Sequence, residues 1–380
     1  MMLDSKQGKV TARYFATGES IRLQCENGTL TQFEKISGKS PDDLWIAPSL
    51  FDLQVNGYGG IDFQQDDLSV QALERAAGDL RRDGCSRFLL TLITDKWPAL
   101  TSRLRRLRSL RSQSAMLQKA IAGWHVEGPF LSDEPGFHGA HNPALMCNPS
   151  PEHILELRTI TEDDPLLLTV SPERPGVIKA IELAVSRGIK ISLGHTNASA
   201  ETLAAAVRAG ATGFTHLGNG CPRELDRHDN ILWRVFETRG LTVSLIPDGI
   251  HVSPSLFRLI HRILPPDSIY YASDAMSAGG APPGRYRLGK MELEVGPDQI
   301  VRQPGKQLFA GSALRPIDGI FRAARMLERP WQEIWPRFSS TPARLMGLEN
   351  HLAVGRPADF CLLHVTSDNQ MVELKTAASM

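Results

Sequence analysis

Short apolar runs separated by amphipathic segments fill residues 50 to 274. The runs are Leu50–Val55, Phe88–Thr94, Gly123–Glu127, Leu166–Val170, Ile189–Gly194, Gly213–His216, Leu241–Ile246 and Ile269–Asp274, eight in all. Between them, segments such as SVQALERAAGDLRRDG, RPGVIKAIELAVSRG, SAETLAAAVRAG and SPSLFRLIHRIL carry apolar residues three and four apart and often stop at glycine, as helices buried on one face do. Strand and helix in repeated alternation imply parallel pairing, and eight repeats over about 250 residues is the size of a closed (β/α)8 TIM-type barrel. An open doubly wound sheet is the competing fold. The barrel is preferred because chemically capable residues fall at the ends of many strands, whereas an open sheet gathers them at its switch point.

The flanks break this alternation. KVTARYF, SIRLQCENGTL and LWIAP near the start, with PADFCLLHV and QMVELK near the end, read as short strands joined by polar turns. Residues 1–48 and 346–380 are therefore predicted to pair into a small β-sandwich domain, leaving the barrel to 49–345. RYRLGKMELEV and the Gly and Pro turns around it predict a β-hairpin insertion over 284–309. No internal repeat or low-complexity linker stands out.

Composition narrows the function classes. With 380 residues, 42% of them hydrophobic, the chain has ample material for a core; 42 basic against 42 acidic side chains give it no general pull toward nucleic acid or an acidic membrane. The basic stretch RLRRLRSLR at 103–111 carries Leu104, Leu107 and Leu110 at helical spacing, so it reads as an outer barrel helix with a solvated Arg face. MMLDSKQGKV is polar and holds no signal-like or membrane-spanning run, so a cytoplasmic protein is expected. The cysteines 25, 85, 147, 221 and 361 lack CxxC pairing, which suits a reducing compartment, and none looks like a zinc ligand. GYGG at 57–60 lacks the Lys-Ser/Thr pair of a phosphate loop and reads as a flexible turn at the barrel mouth.

Four of the apolar runs end on residues able to do chemistry: Glu127 in HVEGPF, His195 in SLGHTNA, His216 in THLGNG and Asp274 in YYASDAMSAGG. In a parallel barrel those ends share one mouth. One carboxylate and two imidazoles suit a divalent ion and leave a coordination position for water, which becomes nucleophilic near neutral pH. Asp274 is then free to accept the water's proton and pass it to a leaving group. Many barrel hydrolases carry His-x-His at the end of the first strand to hold a second metal. Here Gln54-Val55-Asn56 stands there, and Val170-Ser171-Pro172-Glu173 offers no lysine after the fourth strand. One divalent ion per chain is expected, zinc first, with iron, cobalt and manganese also compatible with such ligands.

FDLQVNGYGGIDF, HVEGPFLS, GAHNP, SLGHTNA, THLGNG, PDGIHV, SDAMSAGG and AGSAL, in this order across residues 51 to 314, resemble the successive motifs of the N-acetylglucosamine-6-phosphate deacetylase family of the amidohydrolase superfamily. The resemblance implies a β/α barrel with a small β domain built from both termini. It implies Glu127, His195 and His216 as metal ligands, Asp274 as catalytic acid/base and His141 as the group polarising the N-acetyl carbonyl. His251 would contact the sugar, Asn219 and Gly220 would lie along the substrate, and Gln54-x-Asn56 matches the mononuclear branch. The chemistry implied is removal of acetyl from N-acetyl-D-glucosamine 6-phosphate, a small-molecule reaction, in a homodimer whose neighbouring subunit contributes to the site.

One loop departs from the family pattern. After His216 the chain reads Asn219-Gly220-Cys221-Pro222 and then Leu225-Asp226-Arg227-His228-Asp229-Asn230. Arg227 stands where the resemblance implies a phosphate ligand, but Asp226 and Asp229 flank it and oppose an anion. Two alternatives therefore accompany the phosphorylated sugar: hydrolysis of a different or unphosphorylated N-acyl sugar or cyclic amide, and a non-catalytic sugar-phosphate binding protein. An intact acid/base set counts against the second.

Overall fold

The computed structural model describes residues 7–38, 40–305, 309–366 and 368–376. Strands β1 (Gln7–Tyr14), β2 (Ser20–Glu26), β3 (Thr29–Lys35) and β4 (Leu44–Pro48) join the late strands β18 (Phe360–Val365) and β19 (Met371–Thr376) in one continuous six-stranded sheet, in the order β19-β18-β4-β1-β2-β3. The strands expected to form a sandwich are thus hydrogen-bonded as a single sheet. Side chains alternate along β2, so Ile21, Leu23 and Cys25 share one buried face with Ala12, Leu30, Ile46, Phe360 and Leu362.

The barrel sheet follows. Its strands are β5 (Leu50–Val55), β8 (Cys85–Ile93), β9 (Ile121–Glu127), β10 (Leu166–Val170), β11 (Lys190–Leu193), β12 (Gly213–Phe214), β13 (Thr242–Leu245) and β14 (Ile269–Tyr271), eight parallel neighbours in chain order. β5 and β10 have the bounds the apolar runs predict. The ladder of β12 stops at Phe214 and that of β14 at Tyr271, so His216 and Asp274 lie just beyond the paired residues. All five residues of β10 are buried, as expected of a parallel strand packed on both faces.

The seam between β14 and β5 lacks a full ladder. It is bridged at Val55 and Ala275, by Asn56 N–H donating to Ala275 O at 2.7 Å, and by Asp52, whose carboxylate accepts from Ser273 N–H at 3.1 Å and Gln54 N–H at 3.1 Å. Asp52 is fully buried, and burial pushes its carboxyl up to about 7 despite these hydrogen bonds.

Helix α1 (Val70–Arg82) is capped by Ser69, whose side chain accepts from Ala72 N–H at 3.2 Å, and it buries Leu73, Ala76, Ala77 and Leu80. Helix α2 (Trp97–Ser112) holds the basic stretch. Leu104 and Leu107 face the core, and the arginines are tied to acidic side chains: Arg103 to Asp66 and Asp95, Arg105 to Glu156, Arg108 and Arg111 to Asp164. This face is an ion-pair network. The GYGG segment is also more ordered than a flexible turn: β6 (Gly57–Tyr58) and β7 (Ile61–Asp62) pair as a tight hairpin, with Tyr58 buried and its hydroxyl donating to Asp83 at 2.6 Å. The insertion after β14 has three antiparallel strands, β15 (Gly284–Leu288), β16 (Met291–Val295) and β17 (Val301–Arg302), one more than a hairpin. No helix among the described residues is long and apolar enough to cross a membrane.

Candidate active site

Glu127 closes β9, where alternation puts it on the same inward face as His125 two residues earlier. His125 belongs to the barrel interior: its nitrogens meet Leu53 O at 3.0 Å and Thr169 Oγ1 at 2.8 Å, and burial pushes its pKa down to about 4, so it stays neutral. Thr169, Thr215 and Ser192 continue this chain of hydroxyls at 2.9 and 2.7 Å. It forms a polar layer directly beneath Glu127.

Three imidazoles surround the Glu127 carboxylate. His216 Nε2 stands 2.9 Å and His195 Nε2 3.3 Å from Oε1, while His141 Nε2 lies 3.7 Å from Oε2. Burial alone would raise the Glu127 pKa, but these neighbours hold it well below the usual carboxylate range. Burial works against protonation of His216 too, yet its contact with Glu127 raises its pKa. His141 is pushed down to about 3 by burial and by His195.

The backbone sets these side chains at strained positions. His195 (φ 51°), His216 (φ 32°) and Asp274 (φ 51°) are all left-handed, a conformation costing a non-glycine residue about 1–3 kcal/mol. Offsetting contacts hold each one. His195 O accepts from Ser171 Oγ at 2.7 Å, His216 N–H donates to Ser244 Oγ at 2.6 Å, and Asp274 O accepts from Ser312 N–H at 2.8 Å. The His195 ring lies between two glycines: a Cβ on Gly139 would sit 2.9 Å from its Cε1, and one on Gly220 2.8 Å from its Nδ1.

Hydrogen bonding fixes which nitrogens are available. His195 Nδ1 is 3.0 Å from Phe137 O, which only accepts, so Nδ1 carries hydrogen and the Nε2 lone pair points toward the Glu127 carboxylate. Among the described residues that buried Nε2 has no hydrogen-bond partner, nor has His216 Nδ1. A lone pair facing a buried carboxylate is repulsive unless a cation lies between them. The donor set therefore fits a divalent ion, and Glu127, His141 and His195 each present a ligand atom within 4.8 Å of the others. Thr94 Oγ1 lies 2.8 Å from His141 Nδ1 and 3.3 Å from Glu127 O. Its single hydrogen goes to the Glu127 carbonyl, which can only accept, so His141 donates from Nδ1–H to Thr94 Oγ1 and its Nε2 faces the cavity with a lone pair.

Asp274 faces the same space. Asn56 Nδ2 donates to its Oδ1 at 2.7 Å, and burial, with the Glu127 charge, pushes its carboxyl up to about 6. Gln54 Nε2 and Asn56 Oδ1 are buried without partners among the described residues. A cavity of about 540 Å³ opens above these groups, lined among others by Asn219, Gly220, Arg223, His251, Asp274 and Phe309. Glu127, His141, His195, His216, Asn219, Gly220, His251 and Asp274 thus come together from distant parts of the chain. Arg227 does not line the cavity: it is exposed, and its carbonyl accepts from Trp233 Nε1 at 3.2 Å. Arg223, four residues earlier and not singled out in the sequence, does line it. Asp248, Thr94 and Phe309 were likewise unforeseen, although PDGIHV places Asp248 at turn distance from His251.

Comparison with known proteins agrees with this geometry. A zebrafish (Danio rerio) N-acetylglucosamine-6-phosphate deacetylase is 32% identical over 332 residues, covering 84% of this chain and 80% of its own length. The chain belongs to the N-acetylglucosamine-6-phosphate deacetylase family. An N-acetylgalactosamine-6-phosphate deacetylase of Escherichia coli O157:H7 is 27% identical, covering 88% of each chain. Among solved structures, a mutant N-acetyl-D-glucosamine-6-phosphate deacetylase from Mycobacterium smegmatis, in complex with N-acetyl-D-glucosamine-6-phosphate, superposes with a TM-score of 0.85 at 28% identity, covering 98% of both chains. No family model matches the chain. Membership in the deacetylase family makes this chain a hydrolase of linear amides on an amidohydrolase barrel.

Proposed function

We propose that the protein hydrolyses N-acetyl-D-glucosamine 6-phosphate to glucosamine 6-phosphate and acetate, within amino-sugar breakdown or recycling. The observation that carries this reading is the buried Glu127 carboxylate ringed by His195, His216 and His141, with Asp274 across the same cavity.

Glu127, His195 and His216 would hold one divalent ion, zinc being the best fit to a carboxylate and two imidazoles. Such an ion supplies an acidified water and polarises the amide carbonyl. Asp274 accepts the proton of the attacking water and returns it to the amide nitrogen, without which the amine is a poor leaving group. Its hydrogen bond from Asn56 fixes the carboxylate while leaving Oδ2 free to move the proton. His141, held through Nδ1 by Thr94, turns Nε2 to the carbonyl oxygen and polarises it as negative charge develops there. His251, Asn219 and Gly220 bind the sugar along the cavity wall.

The substrate's anionic group is read by the loop after β12. Arg227, exposed and outside the cavity of its own chain, suits a site completed by a second copy. Trp233, 38% exposed and hydrogen-bonded to that loop through the Arg227 carbonyl, supports a homodimer face there. The protein would work in the cytoplasm, with residues 1–48 and 346–380 as the small domain and 49–345 as the barrel. The test is acetate release from the zinc-loaded protein over 6-phosphorylated and free N-acetylglucosamine and N-acetylgalactosamine. Fastest release from the phosphorylated gluco sugar is expected; preference for an unphosphorylated sugar would overturn the substrate assignment.

A further inference from the structure

One buried carboxylate near the cavity has no part in the chemistry above. Asp248 lies in the turn after β13, with its side chain 3% exposed and that of its neighbour His251 6% exposed. Its two oxygens serve different partners. Oδ1 accepts from the backbone N–H groups of Ile250 at 2.8 Å and His251 at 2.9 Å, closing the turn. Oδ2 meets His251 Nδ1 at 2.6 Å. The turn alone would be satisfied by one neutral oxygen, as in asparagine. A second, charged oxygen in so buried a place is costly unless a cation matches it.

His251 is the side chain placed to match it. Among the described residues no other side chain is hydrogen-bonded to the Asp248 carboxylate, and Arg322 reaches only its backbone oxygen, at 3.4 Å. The imidazole is also fixed in angle, because Phe309 packs edge-on against it with ring centroids 5.3 Å apart. With Nδ1 engaged, Nε2 is the nitrogen left to the cavity that His251 lines. The guanidinium groups of Arg223 and Arg227 sit on an exposed loop. The Asp248–His251 couple is buried and held by the turn itself, so it can define where a substrate oxygen rests.

We propose that Asp248 is a positioning residue: it holds His251 protonated, with Nδ1–H on Oδ2, so that Nε2–H enters the cavity as a fixed cationic donor to an anionic or hydroxyl oxygen of the substrate. The proposal rests on the cavity being the amino-sugar phosphate site. Burial would push the Asp248 carboxyl up, yet its contact with His251 holds it below the usual range, in keeping with an ion pair.

Asp248→Asn separates the two tasks. The amide oxygen must still take the Ile250 and His251 N–H groups, which places the amide nitrogen against His251 Nδ1. That nitrogen donates, so Nδ1 has to accept, and the ring becomes neutral with hydrogen on Nε2 alone. In zinc-loaded protein labelled with 15N-histidine, NMR at pH 7 should find both His251 nitrogens protonated in the wild type and Nδ1 bare in the variant. The KM for N-acetylglucosamine 6-phosphate should rise about 10- to 150-fold, the worth of a charge-assisted hydrogen bond, with kcat within a few-fold. A wild-type His251 bare at Nδ1 overturns the proposal without any variant being made. A changed protonation state with unchanged KM overturns it as well, because the couple would then not touch substrate. If the wild type releases acetate from no N-acetylhexosamine, the substrate reading fails, while the NMR result still decides whether Asp248 sets the state of His251.

Discussion

Asp274 is the residue whose loss should separate chemistry from binding. It is no ligand in the proposed site, and Asn56 would hold an asparagine there much as it holds the aspartate. Asp274→Asn should therefore retain bound metal and substrate affinity while kcat falls by about 100-fold or more, the usual worth of a positioned acid/base. Turnover like that of the wild type would remove Asp274 from the mechanism. Gly220 acts on His195 through space. Its φ of 61°, and the mere 2.8 Å that would separate an added Cβ from Nδ1, leave no room for a side chain. Gly220→Ala should displace the ring, and metal analysis should find well under the roughly one equivalent per chain expected of the wild type; full occupancy would mean that the ring is not held this way. Glu127, His195, His216 and Asp274 were legible because each follows an apolar run. His141 sits on a long loop with no periodic signal, so only resemblance to a family could place it.

At the scale of elements, the barrel seam carries a titrating group. Asp52 has an ordinary carboxyl pKa near 3.8 when unfolded and about 7 when buried, so the fold favours its neutral form. Its contribution to stability is complete below about pH 4 and is lost as pH rises through 7, at most about 4 kcal/mol in all. Urea unfolding of the wild type and Asp52→Asn at pH 5 and pH 8 should show the wild type losing more stability over that interval. Equal losses in the two chains would mean that Asp52 is charged in the fold at both values. Nothing in LFDLQV marks Asp52 as a seam residue. Its alternation with Gln54 puts both on one face, but which face looks inward is decided by the closing of the barrel. The arginines of α2 teach the same lesson: helical spacing located their leucines, whereas the acidic partners come from segments far away in sequence.

For the whole molecule, Arg227 decides whether one chain completes its own site. Arg227→Ala should raise the KM for a 6-phosphorylated sugar about 10- to 150-fold and barely affect the unphosphorylated one. Mixing Arg227→Ala chains with Asp274→Asn chains should restore activity if Arg227 reaches a neighbour's cavity, since some sites would then carry neither defect. No recovery on mixing would return Arg227 to its own subunit or to the surface.

Strand β4 links the two ends of the chain, pairing with β1 on one side and with β18 on the other. During synthesis β4 leaves the ribosome some 300 residues before β18 does. Until then its edge toward β18 is bare, an invitation to pair with a strand from another nascent chain. The barrel is synthesised while this edge waits, so the small sheet is completed last, and a pause in translation before residue 360 would leave a nearly finished chain open to aggregation.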